Sequence, residues 1–466
     1  MIQVVYPTLD VFLYSLAYSL DDSEAEKQER QLAFIHFLRN WGLDEASLET
    51  VQQQNANISE VDLLAEQQLV KFSEKTSYEG YLYPKRLNDC YALLLDCSIE
   101  DSETNVYDMD DLSWLGQLQE ILQQKKRGWG KNQQVLGETW MLSFAVTNTA
   151  VDYEAIARAC CHLLLPAGSF TGDSLQSNHF LGGVLFVVNY FVLEQDYLQE
   201  QQLFIGIYPD KTQVQTLARD YYERWLNLCH CQNKIDWAYG QSRQLKQRLL
   251  QAIPEIRRCR QAVQVEVLND YDLIEIERTL NVARIQQFEY AENLRLMLDQ
   301  ANTIETNLYN YRKCLVDIRQ FSGDGLDCFD LFASKVEQHH LLQVQKDHDN
   351  LSLEMDLLDK LVAHIGINIA LRKEQRDRKF IQRVEVFGIL FALAAIIIGS
   401  SGDFPIETIA QAKHNPIGDF LSVYLSVPDA WLDVGISITI SLLVPIILGL
   451  IWSFSCLVSW VRTRKY

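Results

Sequence analysis

The stretch that decides the predicted fold is residues 357–401, LLDKLVAHIGINIALRKEQRDRKFIQRVEVFGILFALAAIIIGSS. It contains no proline, and its second half changes from a basic run at Arg372–Arg383 to an uncharged run at Val386–Ser401. With Gly402 the uncharged run reaches about 17 residues, near the lower limit for crossing roughly 30 Å of hydrocarbon. A second uncharged run, Val434–Val461, is longer. The sequence therefore predicts two C-terminal transmembrane helices.

The charges around these two runs predict their orientation. Basic residues precede the first run and follow the second, in the tail RTRKY. The intervening loop, residues 402–433, is acidic and carries Lys413 as its one lysine. Basic loops stay on the inner side of a membrane. We therefore expect a multi-pass protein of the bacterial inner (plasma) membrane with cytoplasmic N- and C-termini and an external loop.

Composition excludes several classes of protein. The chain has 466 residues, with 41 basic and 62 acidic side chains and a formal net charge of −21, which does not suit a surface that binds nucleic-acid phosphates directly. A hydrophobic content of 48% and a charged content of 22% exclude a disordered chain. The sequence contains no nucleophile elbow, HExxH motif or kinase motif set. We therefore predict that it is not an enzyme.

Residues 1–209 mix short β-type runs with helical stretches and predict a cytosolic α/β-type domain. Each run is rich in β-branched or aromatic residues. The candidate strands are Ile2–Tyr6, Tyr81–Tyr83, Tyr91–Cys97, Trp140–Val146, Gly183–Asn189 and Leu203–Tyr208, and the candidate helices are Glu24–Trp41, Ile58–Lys71, Leu112–Lys126 and Tyr153–Leu165.

Beyond Pro209 the pattern is helical, with breaks expected at Pro254 and at residues 323–325. Its strongest regularity is a heptad seam. One register holds Leu273, Leu280, Leu294, Ala301, Leu308 and Leu315, and the register three residues later holds Ile276, Ala283, Tyr290, Met297, Ile304, Tyr311 and Ile318.

The seam has two interpretations, an intramolecular antiparallel hairpin and an oligomer stalk. We favour the hairpin, because Lys211–Ile253 supplies a helical partner. The predicted organisation is thus an α+β domain at 1–209, a helical hairpin or coiled coil at 210–320, a stalk helix at 321–385 and a two-span transmembrane domain at 386–466.

The order of these parts resembles the CorA-type divalent-cation transporter superfamily. The stalk sequence, the first uncharged run, the second uncharged run and the short basic tail carry the resemblance over about residues 335–466. It implies a funnel-shaped homo-oligomer, a pentamer, in which the stalk transmits ligand state to a pore lined by the first span. The chain departs from the family at the end of that span, where Gly399–Asp403 reads GSSGD instead of the family's Gly-Met-Asn signature.

One face of the first span predicts the lining of a pore. An apolar middle suits a gate that closes by dewetting, and outer hydroxyl and carboxylate rings suit cations. Close helix packing through the small residues is an equal alternative. The pore-lining candidates are Glu385, Ile389, Ala392, Ile396, Ser400 and Asp403, with Ser401 and Gly402 at the outer mouth.

Three other groups of residues resemble metal sites. The acidic group Asp108, Asp110 and Asp111 could hold a cation, although such runs are commonly solvated. Cys229-His230-Cys231 is interpreted as buried thiols, because adjacent helical residues point in different directions and cannot easily close a tetrahedral site. The third group, His339, His340, Asp347, His348 and Asp349, is a weaker metal candidate beside a solvated helix face.

The sequence leaves three functions open. The first is a CorA-like membrane channel or transporter, for cations, gated by its cytosolic domain. The second is a membrane effector of a bacterial defence system triggered by a nucleotide messenger, and the third is a non-conducting membrane-anchored scaffold. The expected partners are the lipid bilayer, further copies of the chain and a small-molecule or nucleotide ligand. No cofactor is predicted, apart from Mg²⁺ or another divalent cation as a transported or regulatory ion.

Overall fold

The structure is a computed structural model that describes most of residues 2–400. Its gaps are 20–21, 46, 49–50, 52–59, 65–68, 75–76, 100–105, 110, 132, 149–150, 171–173, 195–196, 267–272 and 323–324. Beyond residue 400 it describes only positions 420, 423–425, 439 and 446–447.

Ten described strands form one sheet. The order is β2-β4-β5-β1-β7-β10-β9-β8, with β3 also paired to β4 and β6 to β1. All pairings are antiparallel except β7 with β10, which is parallel. The strands are β1 (Gln3–Leu16), β2 (Glu60–Asp62), β3 (Val70–Glu74), β4 (Tyr78–Leu87), β5 (Cys90–Ile99), β6 (Val106–Asp108), β7 (Val135–Val146), β8 (Leu175–Phe180), β9 (Gly183–Glu194) and β10 (Tyr197–Tyr208).

Of the helices named below for the described residues, three lie within the sheet region and five follow it, three of them long. Two π-helical turns, at Leu217–Tyr221 and Val336–Leu341, interrupt the second group. The helices are α1 (Glu24–Asn40), α2 (Ser113–Lys125), α3 (Tyr153–Leu164), α4 (Lys211–Thr216), α5 (Tyr222–Glu266), α6 (Leu273–Ser322), α7 (Asp327–Lys335) and α8 (Leu342–Ser400).

The two faces of the sheet are covered by different helices. Alternate residues of a strand point to opposite faces. Leu9, Val11 and Leu13 of β1 therefore join the apolar core formed with α1, α2 and α3. On the opposite face, Phe204 of β10 packs against Trp225 of α5, with ring centroids 5.4 Å apart. The result is a sheet between two helical layers.

The heptad seam predicted for α6 is confirmed where its side chains are described. Met297, Ile304, Tyr311 and Ile318 are all buried, as are the described members of the other register. The helix predicted to pack against α6, α5, does so, and α8 is a second partner. Tyr290 donates its hydroxyl to the carbonyl of Leu351 on α8, so α8 as well as α5 packs against α6.

The structure corrects four local predictions. Residues 58–71 are not one helix, because β2 and the first residues of β3 lie there. Pro254 does not end α5, which continues through it to Glu266. No strand was predicted between Cys97 and Trp140, yet β6 lies there and pairs with β1. The first strand runs to Leu16 rather than ending at Tyr6, which places the polar residues Thr8 and Asp10 inside the sheet.

The prediction of two C-terminal transmembrane helices is wrong for the part of the chain that the structure describes. There, no helix combines the length and the apolar composition that crossing a bilayer requires. The uncharged part of α8 that the structure describes runs from Val386 to Ser400, which at 1.5 Å per residue is roughly 22 Å, short of a hydrocarbon core of about 30 Å. The fold class with two spans, the membrane and transmembrane assignments and the multi-pass localisation are corrected accordingly. Most of the predicted loop at 402–433 and of the second run, Val434–Val461, lies outside the described residues.

The chain divides into two compact units. The first contains residues 1–261 and 282–360, and thus the sheet and most of the helical packing described above. The second contains residues 262–281 and 361–466. Within the second unit, Leu280 packs against Ile365 and Ile369, and Lys373 pairs with Glu277 at 2.7 Å.

Candidate functional site: a buried polar layer beneath helix α5

The sheet face beneath α5 carries polar side chains in its interior. Thr8 and Asp10 lie on β1, and their cross-strand partners on β5 are Ser98 and Asp96. On the other side of β1, Ser143 of β7 is opposite Thr8. Directly opposed side chains on neighbouring strands are about 4.5–5.5 Å apart at Cβ. These five residues, which we call the polar layer, are therefore neighbours on one buried face, and each is at most 5% exposed.

Helix α5 closes the polar layer with a tyrosine. The hydroxyl of Tyr222, the first residue of α5, donates a hydrogen bond of 2.6 Å to Oδ2 of Asp10. The preceding π-helical turn, Leu217–Tyr221, leads directly into this contact. Such π-helical turns occur frequently at functional sites.

Asp10 and Asp96 cannot both be ionised without a counter-charge. Each carboxyl group lies within hydrogen-bonding reach of the other. Burial, followed by repulsion from Asp96, raises the pKa of Asp10 well above its usual range. Burial raises the pKa of Asp96 to about 7. Two adjacent carboxylates of this kind need a shared proton or a bound cation.

Several oxygen atoms of the polar layer lack a hydrogen-bond partner among the described residues. They are Thr8 Oγ1, Asp10 Oδ1 and Ser143 Oγ. A buried polar atom without a partner is costly and commonly indicates a water or an ion. Oxygen ligands of this kind suit hard cations such as Mg²⁺ and Ca²⁺, so the donor set fits the divalent cation that the sequence suggested as a regulatory ion.

A second polar group lies further along α5. Lys234 pairs with Asp89 at the end of the β4–β5 hairpin, and His230 packs against Tyr14 of β1 with ring centroids 5.7 Å apart. Burial, together with the positive charge of Lys234, lowers the pKa of His230 to about 3. His230 is therefore a neutral, buried side chain.

Helix α5 also contacts α8. Asp347 of α8 is bound by Lys246 at 2.8 Å and by Arg243 at 2.7 Å. One helical turn before Arg243, Tyr239 stacks on His340 with ring centroids 4.1 Å apart. From the polar layer to Lys246, α5 extends roughly 36 Å. One helix thus contacts both the sheet interior and α8.

The described pore-lining candidates lie on α8 and not in the polar layer. Glu385, Ile389 and Ala392 are exposed on α8, and the side chains of Ile396 and Ser400 lie outside the described part of the chain, as do residues 401–403. Their assignment to a pore stays a prediction.

The described members of the predicted acidic and histidine groups do not come together as metal sites. Asp108 is on β6 opposite Gln3, Asp111 accepts a hydrogen bond from the backbone N–H of Ser113 at 3.1 Å, and position 110 is not described. His340, in the π-helical turn before α8, stacks on Tyr239 of α5, and Asp347 of α8 pairs with Arg243 and Lys246 of α5. Among residues that the structure describes, no group of three or more His, Cys, Asp or Glu could hold a metal.

Sequence reasoning missed the polar layer because the first strand was expected to end at Tyr6. The sequence does contain one indication of the polar layer. Asp10 and Asp96 are single charged residues within otherwise apolar runs, DVFLYSL and YALLLDCSI, and such residues are seldom fully buried unless they are paired.

Comparisons with protein-family models, with curated proteins and with solved structures found no match for this chain.

Proposed function

We propose that the chain is a cation-responsive regulatory protein, in which the binding of a cation in the polar layer is transmitted along helix α5 to α8. The observation that carries the proposal is the pair Asp10–Asp96, buried beside unsatisfied hydroxyl oxygens and joined to α5 by Tyr222. A divalent cation would be held by Asp10, Asp96, Thr8 and Ser143. It would supply the positive charge that the two carboxylates require.

Helix α5 physically connects the polar layer to α8. The tyrosine that contacts Asp10 is the first residue of the helix that binds Asp347 of α8. A change in the charge of the carboxyl pair alters the hydrogen bond of Tyr222, and a packed helix transmits such a change as a small shift along its length.

Magnesium chloride alone is the probe for the cation site. A ligand that binds the native state raises the unfolding temperature. Because cation and proton compete for the same carboxyl pair, Mg²⁺ should raise the unfolding temperature at pH 8 by more than at pH 5.5. Asp10→Asn should abolish this rise, and Ser143→Ala, a milder change, should reduce it. The matched control is Asp111→Asn, at an exposed acidic position, which should respond as the wild type does.

Two results would contradict the proposal. A Mg²⁺ response that is equal in wild type, Asp10→Asn and Ser143→Ala would place the cation elsewhere. An absent response at both pH values would mean that the polar layer holds water or a shared proton instead.

A further inference from the structure

Two cysteines meet where α5 packs against α6. Cys231 lies on α5 and Cys314 on α6, and their thiols are within hydrogen-bonding contact. Both residues are reduced. The helices are antiparallel neighbours here, because two turns away the guanidinium of Arg224 lies 3.8 Å from the ring centroid of Phe321. The contact therefore belongs to a continuous helix interface.

The two cysteines differ in accessibility. Cys231 is buried, whereas Cys314 is half-buried. The hydrogen bond with Cys314, together with burial, holds the pKa of Cys231 well above its usual range. Cys231 therefore keeps its proton, and its S–H can donate to the sulfur of Cys314. An accessible sulfur next to a second, resolving thiol is the usual arrangement of a redox-sensitive pair.

The neighbouring cysteine of the motif, Cys229, lies in a different environment. It is buried in contact with Thr139 of β7 on the sheet, because residues two apart on a helix point in nearly opposite directions. Cys229 thus offers an internal control on the same helix.

We propose that Cys231 and Cys314 form a reversible disulfide, which joins α5 to α6 when the chain encounters a hydroperoxide. This proposal is independent of the proposed function. Closing the bond brings the two sulfurs from hydrogen-bonding contact to about 2.05 Å, a movement that side-chain rotation and a small helix shift can supply.

The reaction balances with the hydroperoxide as oxidant. The Cys314 thiolate attacks the terminal oxygen, the O–O bond breaks, and the departing oxygen leaves as an alcohol, or as water when the oxidant is hydrogen peroxide. The resulting sulfenic acid on Cys314 is then attacked by the sulfur of Cys231. The S–O bond breaks, an S–S bond forms, and the hydroxyl group leaves with the proton of Cys231 as water. Two thiols are oxidised and one hydroperoxide is reduced.

The test is to treat the full chain with hydrogen peroxide, alkylate the remaining thiols, digest without reduction and identify linked peptides by mass spectrometry. We expect a Cys231–Cys314 linked peptide in the wild type and in Cys229→Ser. Cys314→Ser should lose it. The oxidised wild type should also unfold at a higher temperature than the reduced protein, and dithiothreitol should reverse this shift.

Circular dichroism of Cys314→Ser, matching that of the wild type, establishes that the variant is folded. The proposal is overturned when peroxide leaves both thiols open to alkylation after unfolding, or when Cys314 is oxidised to sulfinic acid with no linked peptide. A linked peptide that joins Cys229 instead of Cys231 would overturn it as well.

Discussion

The most informative residues are Asp10 and Asp96, because their environment reverses the usual preference of a carboxyl group for ionisation. Both lie between the sheet and α5, and neither pairs with a cationic side chain in any ion pair seen among the described residues. In the unfolded chain an Asp carboxyl ionises near pH 4. In the folded chain burial keeps Asp96 protonated up to a pH of about 7.

Replacing Asp96 with Asn should stabilise the protein at alkaline pH. Because the folded pKa is raised, the native state binds more protons than the unfolded state between about pH 4 and pH 7, and stability falls as the pH rises through that range. Asp96→Asn removes this loss. In the presence of a chelator, we expect its free energy of unfolding to exceed that of the wild type by on the order of 4 kcal/mol at pH 8.5, with little difference at pH 4.5.

Urea denaturation at the two pH values measures this difference. The exposed substitution Asp111→Asn is the control and should leave both values unchanged. If Asp96→Asn were less stable than the wild type at pH 8.5, a group other than a proton would satisfy the carboxylate, and the raised pKa of the pair would be wrong.

Helix α6 is the element whose packing follows most directly from a repeat. Its heptad positions are buried against α5 and α8, and the positions between them are exposed. The heptad repeat does not specify which helices pack against α6, because an apolar stripe on one helix can pack against any complementary apolar stripe. Along the chain, α8 follows α6 after the short helix α7 and the π-helical turn Val336–Leu341.

Truncating a seam residue of α6 should cost far more than truncating an exposed one on the same helix. Ile304 is fully buried and Leu298 is 43% exposed. Ile304→Ala should lower the free energy of unfolding by about 2–4 kcal/mol, because it removes buried methylene groups and leaves a cavity. The corresponding loss for Leu298→Ala should be below about 1 kcal/mol. Equal losses, measured by urea denaturation, would mean that the seam is not the buried face of α6.

At the scale of the whole molecule, two kinds of buried titratable group have opposite effects on the pH dependence of folding stability. Burial, followed by nearby positive charge, lowers the pKa of His230 to about 3 and that of His340 to about 4. Burial raises the pKa of Asp10 and Asp96. The histidines favour folding at higher pH, and the aspartates favour it at lower pH.

These opposite contributions overlap between about pH 4 and pH 6.5, so the stability of the molecule should be greatest and nearly constant there and should fall on either side. A histidine with a lowered folded pKa contributes stability above its unfolded pKa near 6.5, and this contribution is lost as the pH falls towards the folded value. The aspartate pair produces the loss on the alkaline side. His230→Gln should make the acid side of the profile shallower and leave the alkaline side unchanged. A profile from urea denaturation at half-unit pH steps that is flat from pH 3.5 to pH 8 would contradict both assignments.

The sequence by itself determined the mixed β and helical composition of residues 1–209, the helical character of the residues after Pro209 and the buried seam of α6. These features depend on periodicities of two and 3.6 residues, which are set by near neighbours in the chain. Only the tertiary structure decided that Asp10 faces Asp96, that Tyr222 closes over them, that Cys231 meets Cys314 and that α8 is a partner of α6. These contacts join residues 61 to 212 positions apart, and they depend on the path of the chain through strand register and helix packing, which no local pattern specifies.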